Sequence, residues 1–102
     1  MEILKREILD QCVKKHARSK AWILSIRKII DKPQTNWRSY QDILKIFPTA
    51  TAIPTKDDFR IKFNHPSQKF RIIARVDFDD FTLEIRFAGT HAEYDKIDAN
   101  TV

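Results

Sequence analysis

The hydrophobic period of the chain changes near its midpoint, from helical spacing to alternation. Between Glu7 and His16 the apolar residues Ile8, Leu9, Cys12 and Val13 recur at the intervals of one helix face, and Lys14, Lys15 and His16 suit the negative end of the helix dipole. A second helix is expected from a cap at Ser19 through Asp31, with Trp22, Ile23, Ile26, Ile29 and Ile30 as its stripe and Pro33 beyond its end. Ser39-Tyr40-Gln41-Asp42 approximates a capping box, with Asp in place of Glu, ahead of Ile43, Leu44, Ile46 and Phe47 and a stop at Pro48. Thr49 to Asp58 reads as a loop. Glu2 to Lys5 is too short to show a period, which leaves an edge strand and a first helical turn both open.

Beyond Asp58 the pattern is that of strands. Phe59, Ile61 and Phe63 alternate with Arg60, Lys62 and Asn64; Phe70, Ile72, Ala74, Val76 and Phe78 alternate with Arg71, Ile73, Arg75 and Asp77; a third run spans Phe81 to Phe87. His65-Pro66-Ser67-Gln68 and Asp79-Asp80 supply the turns of two hairpins. Helices first and a meander afterwards predict an α+β fold, with N-terminal helices packed on one face of a small antiparallel sheet. No repeat or linker interrupts residues 1–102, so a single domain is expected.

Composition narrows the function classes. With 42% hydrophobic and 32% charged residues the chain is too apolar for disorder, and a net charge of +5 favours a polyanionic partner. The single cysteine, Cys12, cannot form an internal disulfide and sits among apolar positions, as a core thiol would in the reducing cytoplasm. Nothing approaches the roughly 20 apolar residues of a membrane span, so neither membrane insertion nor export is expected. His16, His65, His91 and Cys12 lack the spacing of a zinc site, and a chain with one glycine has no glycine-rich phosphate loop, so no metal or nucleotide cofactor is expected.

With uninterrupted hairpins, Phe78 faces Phe81, Ile73 faces Arg86, Arg71 faces Ala88, Lys62 faces Arg71 and Arg60 faces Ile73. Arg60, Lys62, Arg71, Arg75 and Arg86 then gather on the side away from the helices, with Glu84, opposite Arg75, and Asp77 among them. Like charges on neighbouring strands repel unless paired or solvated, so the cluster suits an incoming phosphate; a solvated arginine-rich surface is the plainer alternative. Gly89, the only glycine, marks a position that a side chain would obstruct, through positive φ or close approach.

Past Gly89 the ladder carries His91 toward Lys69 and Gln68, beside Arg71, Lys62 and Arg86. A metal-free ribonuclease needs a base for the ribose 2′-hydroxyl, cations for a phosphorane-like state and an acid for the leaving 5′-oxygen. His91 is the first candidate for base or acid, because an imidazole's ordinary pKa of about 6.5 lies near working pH. Tyr94 can share a helical face with it and donate a proton or stack on a base. Arg71 and Arg86, with Lys62 or Lys69, would hold the phosphate, and Arg60 and Arg75 would extend the RNA-binding face. His65 is a reserve. The plainer alternative has His91 and Tyr94 capping and packing a short helix, His16 as a helix-end cation, and Trp22 and Trp37 in the core or an interface.

The run Arg86-Phe87-Ala88-Gly89-Thr90-His91-Ala92-Glu93-Tyr94-Asp95 resembles the C-terminal signature of the HigB toxin family, within the RelE/ParE superfamily. The likeness extends to Met1-Glu2-Ile3-Leu4 before a helix ending Lys15-His16, Asn36-Trp37-Arg38-Ser39-Tyr40-Gln41-Asp42 before Phe47-Pro48, Lys62-Phe63-Asn64 and Phe70-Arg71-Ile72-Ile73. The resemblance implies a RelE-like fold and the toxin of a type II toxin-antitoxin pair, an mRNA interferase cutting mRNA, often on the ribosome, and neutralised by a HigA-like antitoxin. It carries over Arg71, Arg86, His91 and Tyr94 as the active-site group, with Lys62 and Lys69 as looser candidates. Two other classes remain: a non-catalytic basic RNA-binding or gyrase-targeting relative, which needs the basic face without His91 and Tyr94, and an interaction subunit whose groove accepts an acidic or extended segment.

Overall fold

The computed structural model describes residues 1–67 and 69–102. Along the chain come β1 (Glu2–Leu4), α1 (Arg6–Lys15), a 3₁₀ turn (Ala17–Ser19), α2 (Lys20–Ile30), α3 (Tyr40–Ile46), β2 (Thr51–Ile53), β3 (Phe59–Asn64), β4 (Phe70–Asp77), β5 (Thr82–Thr90) and α4 (His91–Tyr94). The strands form one five-stranded sheet in the order β1-β5-β4-β3-β2, with β1 parallel to β5 and the other neighbours antiparallel. Alternation dictates the buried side: Ile61 and Phe63 of β3, Ile72, Ala74 and Val76 of β4, and Leu83 and Ile85 of β5 share one cluster with Leu9 and Cys12 of α1, Ile23, Ile26 and Ile30 of α2, and Ile43 of α3. The free Cys12 thiol is buried there, and burial pushes its pKa up.

The sheet is larger than alternation predicts. Glu2–Leu4 is the edge strand of the two choices left open, and Thr51–Ile53 is a strand where a loop is expected, because three residues cannot display a period. Two caps also differ. Ser19 is helical and buried, and its hydroxyl donates to the His16 carbonyl (2.7 Å), so the 3₁₀ turn runs directly into α2. Ser39 is extended but its side chain caps nothing; the Asp42 carboxylate instead accepts from the Arg38 amide (2.9 Å).

Both hairpin registers shift for local reasons. The His65 amide donates to the Phe70 carbonyl (3.1 Å), so the first turn follows His65 instead of including it, and the ladder moves by two residues: Lys62 faces Ile73, Arg60 faces Arg75 and Asn64 faces Arg71. A two-residue shift keeps every side chain on its expected face. The expected turn reaches Gln68, which lies outside the described residues. In the second hairpin the last pair is Asp77–Thr82, and Phe78 does not face Phe81. The Asp77 carboxylate accepts from the amides of Asp79 and Asp80 (2.9 Å each), which winds a longer turn that Phe81 closes at φ 55°. A β-bulge then leaves Arg86 outside the ladder, so Ile73 faces Phe87 and Arg71 faces Gly89.

Candidate functional site

The bulge decides what stands at the end of β5. Strict alternation would send Phe87 to the core; the extra residue turns it instead to the face of Ile73 and Arg71, and Ala88 packs toward the core. Gly89 has no positive φ, so of the two reasons for a glycine the close approach applies: a Cβ there would lie 2.8 Å from Glu93 Oε1 and 2.9 Å from Phe87 Cζ.

Immediately after, the chain turns into α4 through a complete capping box. The Thr90 hydroxyl accepts from the Glu93 amide (3.1 Å), and Glu93 Oε1 accepts from the Thr90 amide (2.9 Å). The same carboxylate holds the end of α1, taking Lys15 Nζ at 2.6 Å and His16 Nε2 at 2.8 Å. Lys15, then the Thr90 amide and His16 hold its pKa at about 2. Glu93 therefore fixes α4 against α1, a role that the sequence reading missed although Thr90-His91-Ala92-Glu93 has the capping-box spacing.

That anchoring places Tyr94 over the sheet. Lys62 Nζ lies 5.2 Å from the centroid of the Tyr94 ring and Arg71 Cζ 5.9 Å, both cation–π distances, while Phe87 meets the ring edge-on at 6.2 Å. Arg71 is buried, at 7% exposure. Burial, then the charge of Arg71, holds the Lys62 pKa below the ordinary lysine value. Two cations from adjacent strands thus converge on one phenol, with a second ring beside it.

The other expected site residues lie elsewhere. Arg86 donates to Glu84 Oε1 (2.7 Å) and to the main-chain oxygen of Val102 (3.0 Å). Arg60 pairs with Asp58 (3.3 Å) and donates to the oxygens of Ala99 (3.1 Å) and Val102 (2.9 Å). Arg75 faces Glu84, with its Nε 3.7 Å from the carboxylate. His91 opens α4 on the surface, its Nδ1 3.2 Å from Asp95 Oδ2, and its amide donates to the carbonyl of the exposed Lys69 (3.1 Å). His65 Nδ1 accepts from the amide and hydroxyl of Ser67 (3.1 and 2.7 Å) while its ring packs on Trp22 and Phe70. Trp37 is buried in the core. Among the described residues no group of three or more His, Cys, Asp or Glu is arranged to hold a metal ion, and no helix is long and apolar enough to cross a membrane.

The mixed α+β fold, a five-stranded sheet with several helices, is consistent with the RelE-like class. The chain matches the family model described as HigB toxin, RelE-like toxic component of a toxin-antitoxin system, over residues 19–97. It belongs to that family and is the toxin of such a system, which implies an antitoxin partner. The N-terminal strand and α1 lie outside the matched residues. A comparison with curated proteins gives no match.

Proposed function

We propose that the chain is a metal-free endoribonuclease, an mRNA interferase that cuts mRNA on the ribosome in the cytoplasm, with Lys62, Arg71 and Tyr94 at the centre of its site. One observation carries this reading: Lys62 and Arg71, from adjacent strands, meet a single tyrosine ring, with Phe87 edge-on beside it. A phosphate between Lys62 and Arg71 would replace water around both cations, and a nucleobase could stack against Tyr94 and Phe87.

The reaction would proceed by attack of the ribose 2′-oxygen on the adjacent phosphorus. The 2′-proton passes to a base, and the P–O5′ bond breaks as an acid protonates the leaving oxygen, giving a 2′,3′-cyclic phosphate and a 5′-hydroxyl. Lys62 and Arg71 stabilise the charge on phosphorus. The lowered pKa of Lys62 makes it a readier proton donor than an ordinary lysine, so it is suited to the leaving oxygen as well. His91 takes the base role from the rim: a proton held on Nδ1 by Asp95 leaves Nε2 as the accepting nitrogen. Tyr94 orients the base or relays a proton, Arg86 adds positive field, and Lys69, Arg60 and Arg75 contact flanking phosphates. A HigA-like antitoxin with a helix-turn-helix domain is the proposed partner.

RNA recovered after expression of the protein should carry new 5′-hydroxyl and 2′,3′-cyclic phosphate ends within translated messages. New ends bearing 5′-phosphate would contradict 2′-hydroxyl attack, and growth arrest over intact RNA would favour a gyrase-targeting toxin.

A further inference from the structure

Arg60 and Arg86 come from different strands, β3 and β5, yet both donate to one atom, the main-chain oxygen of Val102, at 2.9 and 3.0 Å. Each guanidinium is backed by a carboxylate, Asp58 behind Arg60 and Glu84 behind Arg86, so the two forks are held in place and aimed at a common oxygen. Arg60 is 8% exposed. Convergence of two arginines on one oxygen is the geometry of an oxyanion site, which a phosphate oxygen would fit.

The segment that supplies the oxygen lies on the surface, with Asp98, Asn100 and Thr101 exposed and Ala99 and Val102 half-buried. Asp98–Val102 forms its own turn, with the Asp98 carbonyl accepting from Thr101 and Val102 (3.1 and 2.9 Å) and its carboxylate from Asn100 (2.9 Å). Asn100 and Thr101 form one wall of an open cleft of about 550 Å³ whose other walls are the Pro54–Asp58 loop and Arg60.

We propose that Arg60 and Arg86 form a phosphate-binding subsite on the RNA-cleaving face, plugged by the chain's own Asp98–Val102 segment until RNA displaces it. The proposal rests on the ribonuclease reading above and adds to it a self-occluded state. If the plug covers the subsite in most molecules, removing it tightens RNA binding by about five- to tenfold, the inverse of the competent fraction.

The probe is a short single-stranded RNA with every ribose 2′-O-methylated, which binds without being cut. Its affinity is measured for the full chain, for a chain stopped after Ile97, and for Asp98→Ala, which frays the turn should the shortened chain not fold. Tighter binding in either variant, erased by adding Arg60→Ala, supports the plug, as does faster exchange of the Thr101 and Val102 amides when RNA is added to the full chain. Equal affinities with unchanged exchange overturn the plug and leave the ribonuclease reading standing. No binding by any form overturns both.

Discussion

The two ends of the open sheet face carry the same residue types in opposite states. At one end Lys62 and Arg71 meet the ring of Tyr94, and burial and mutual repulsion depress the lysine's pKa. At the other, Arg60 and Arg86 are each paired with a carboxylate and tied to the Asp98–Val102 segment. Charge count does not distinguish the ends; the contacts described for each pair do. An anion reaching Arg60 and Arg86 must first displace the chain's own oxygen, whereas at Lys62 and Arg71 it meets two cations gathered at an aromatic ring.

The largest effects should fall at the first end. Lys62→Met and Tyr94→Ala should each lower RNA cleavage by roughly a hundredfold or more, the usual scale for a positioned proton-transfer or charge-stabilising group, while antitoxin binding in a pull-down is retained. His91→Ala should abolish growth arrest too if the rim histidine is the base, and full toxicity in that variant would remove it from the mechanism. Arg86→Ala sharpens the comparison from the other end: an intermediate loss of cleavage with intact folding is expected from its pairing with Glu84 and Val102.

Next in size are effects on the support beneath Tyr94. Gly89→Ala forces a methyl to within 2.8 Å of Glu93 Oε1 and 2.9 Å of Phe87 Cζ, an overpacking that should cost about 1–3 kcal/mol in thermal unfolding and reduce cleavage by displacing Phe87. Glu93 gives a pH signature. Its pKa falls from the ordinary 4.5 to about 2 in the folded state, so its stabilisation is present above about pH 4.5 and is lost as the pH drops toward 2. Glu93→Gln should lower stability at neutral pH and flatten that part of the acid-unfolding curve; an unchanged curve would mean that the contacts to Lys15, His16 and Thr90 contribute little. The smallest effect is expected at the half-exposed Arg75, whose pairing with Glu84 at 3.7 Å predicts near-wild-type cleavage for Arg75→Ala.

Much of this was legible in the sequence, and the failures have physical causes. Period located α1, α2 and the three long strands, because ten- and eleven-residue stripes and six- to nine-residue alternations are strong signals, while the seven-residue α3 was read from an apolar run stopped by Pro48. It also placed Arg60, Lys62, Arg71 and Arg75 on one face, since a two-residue register slip preserves parity. The bulge at Arg86 has no sequence mark, because Phe81 to Phe87 fits strict alternation throughout, so the change of side by Phe87 was invisible. The three-residue strands carry no period. The pairing of Arg60 and Arg86 depends on contacts 42 and 16 residues away in the chain, which composition cannot report. Helical spacing and the signature both single out Tyr94 in one group with Arg71 and Lys62, but the contact of the two cations with its ring depends on Glu93 anchoring α4.

The most direct test is to map RNA 5′ ends in cells expressing the wild-type chain, Lys62→Met, Tyr94→Ala and Arg75→Ala in parallel. The account predicts new ends within translated messages for the wild type and Arg75→Ala, and none for the Lys62 and Tyr94 variants at equal protein levels. Cleavage that persists in both of those variants would show that the Lys62–Arg71–Tyr94 cluster is not the catalytic centre.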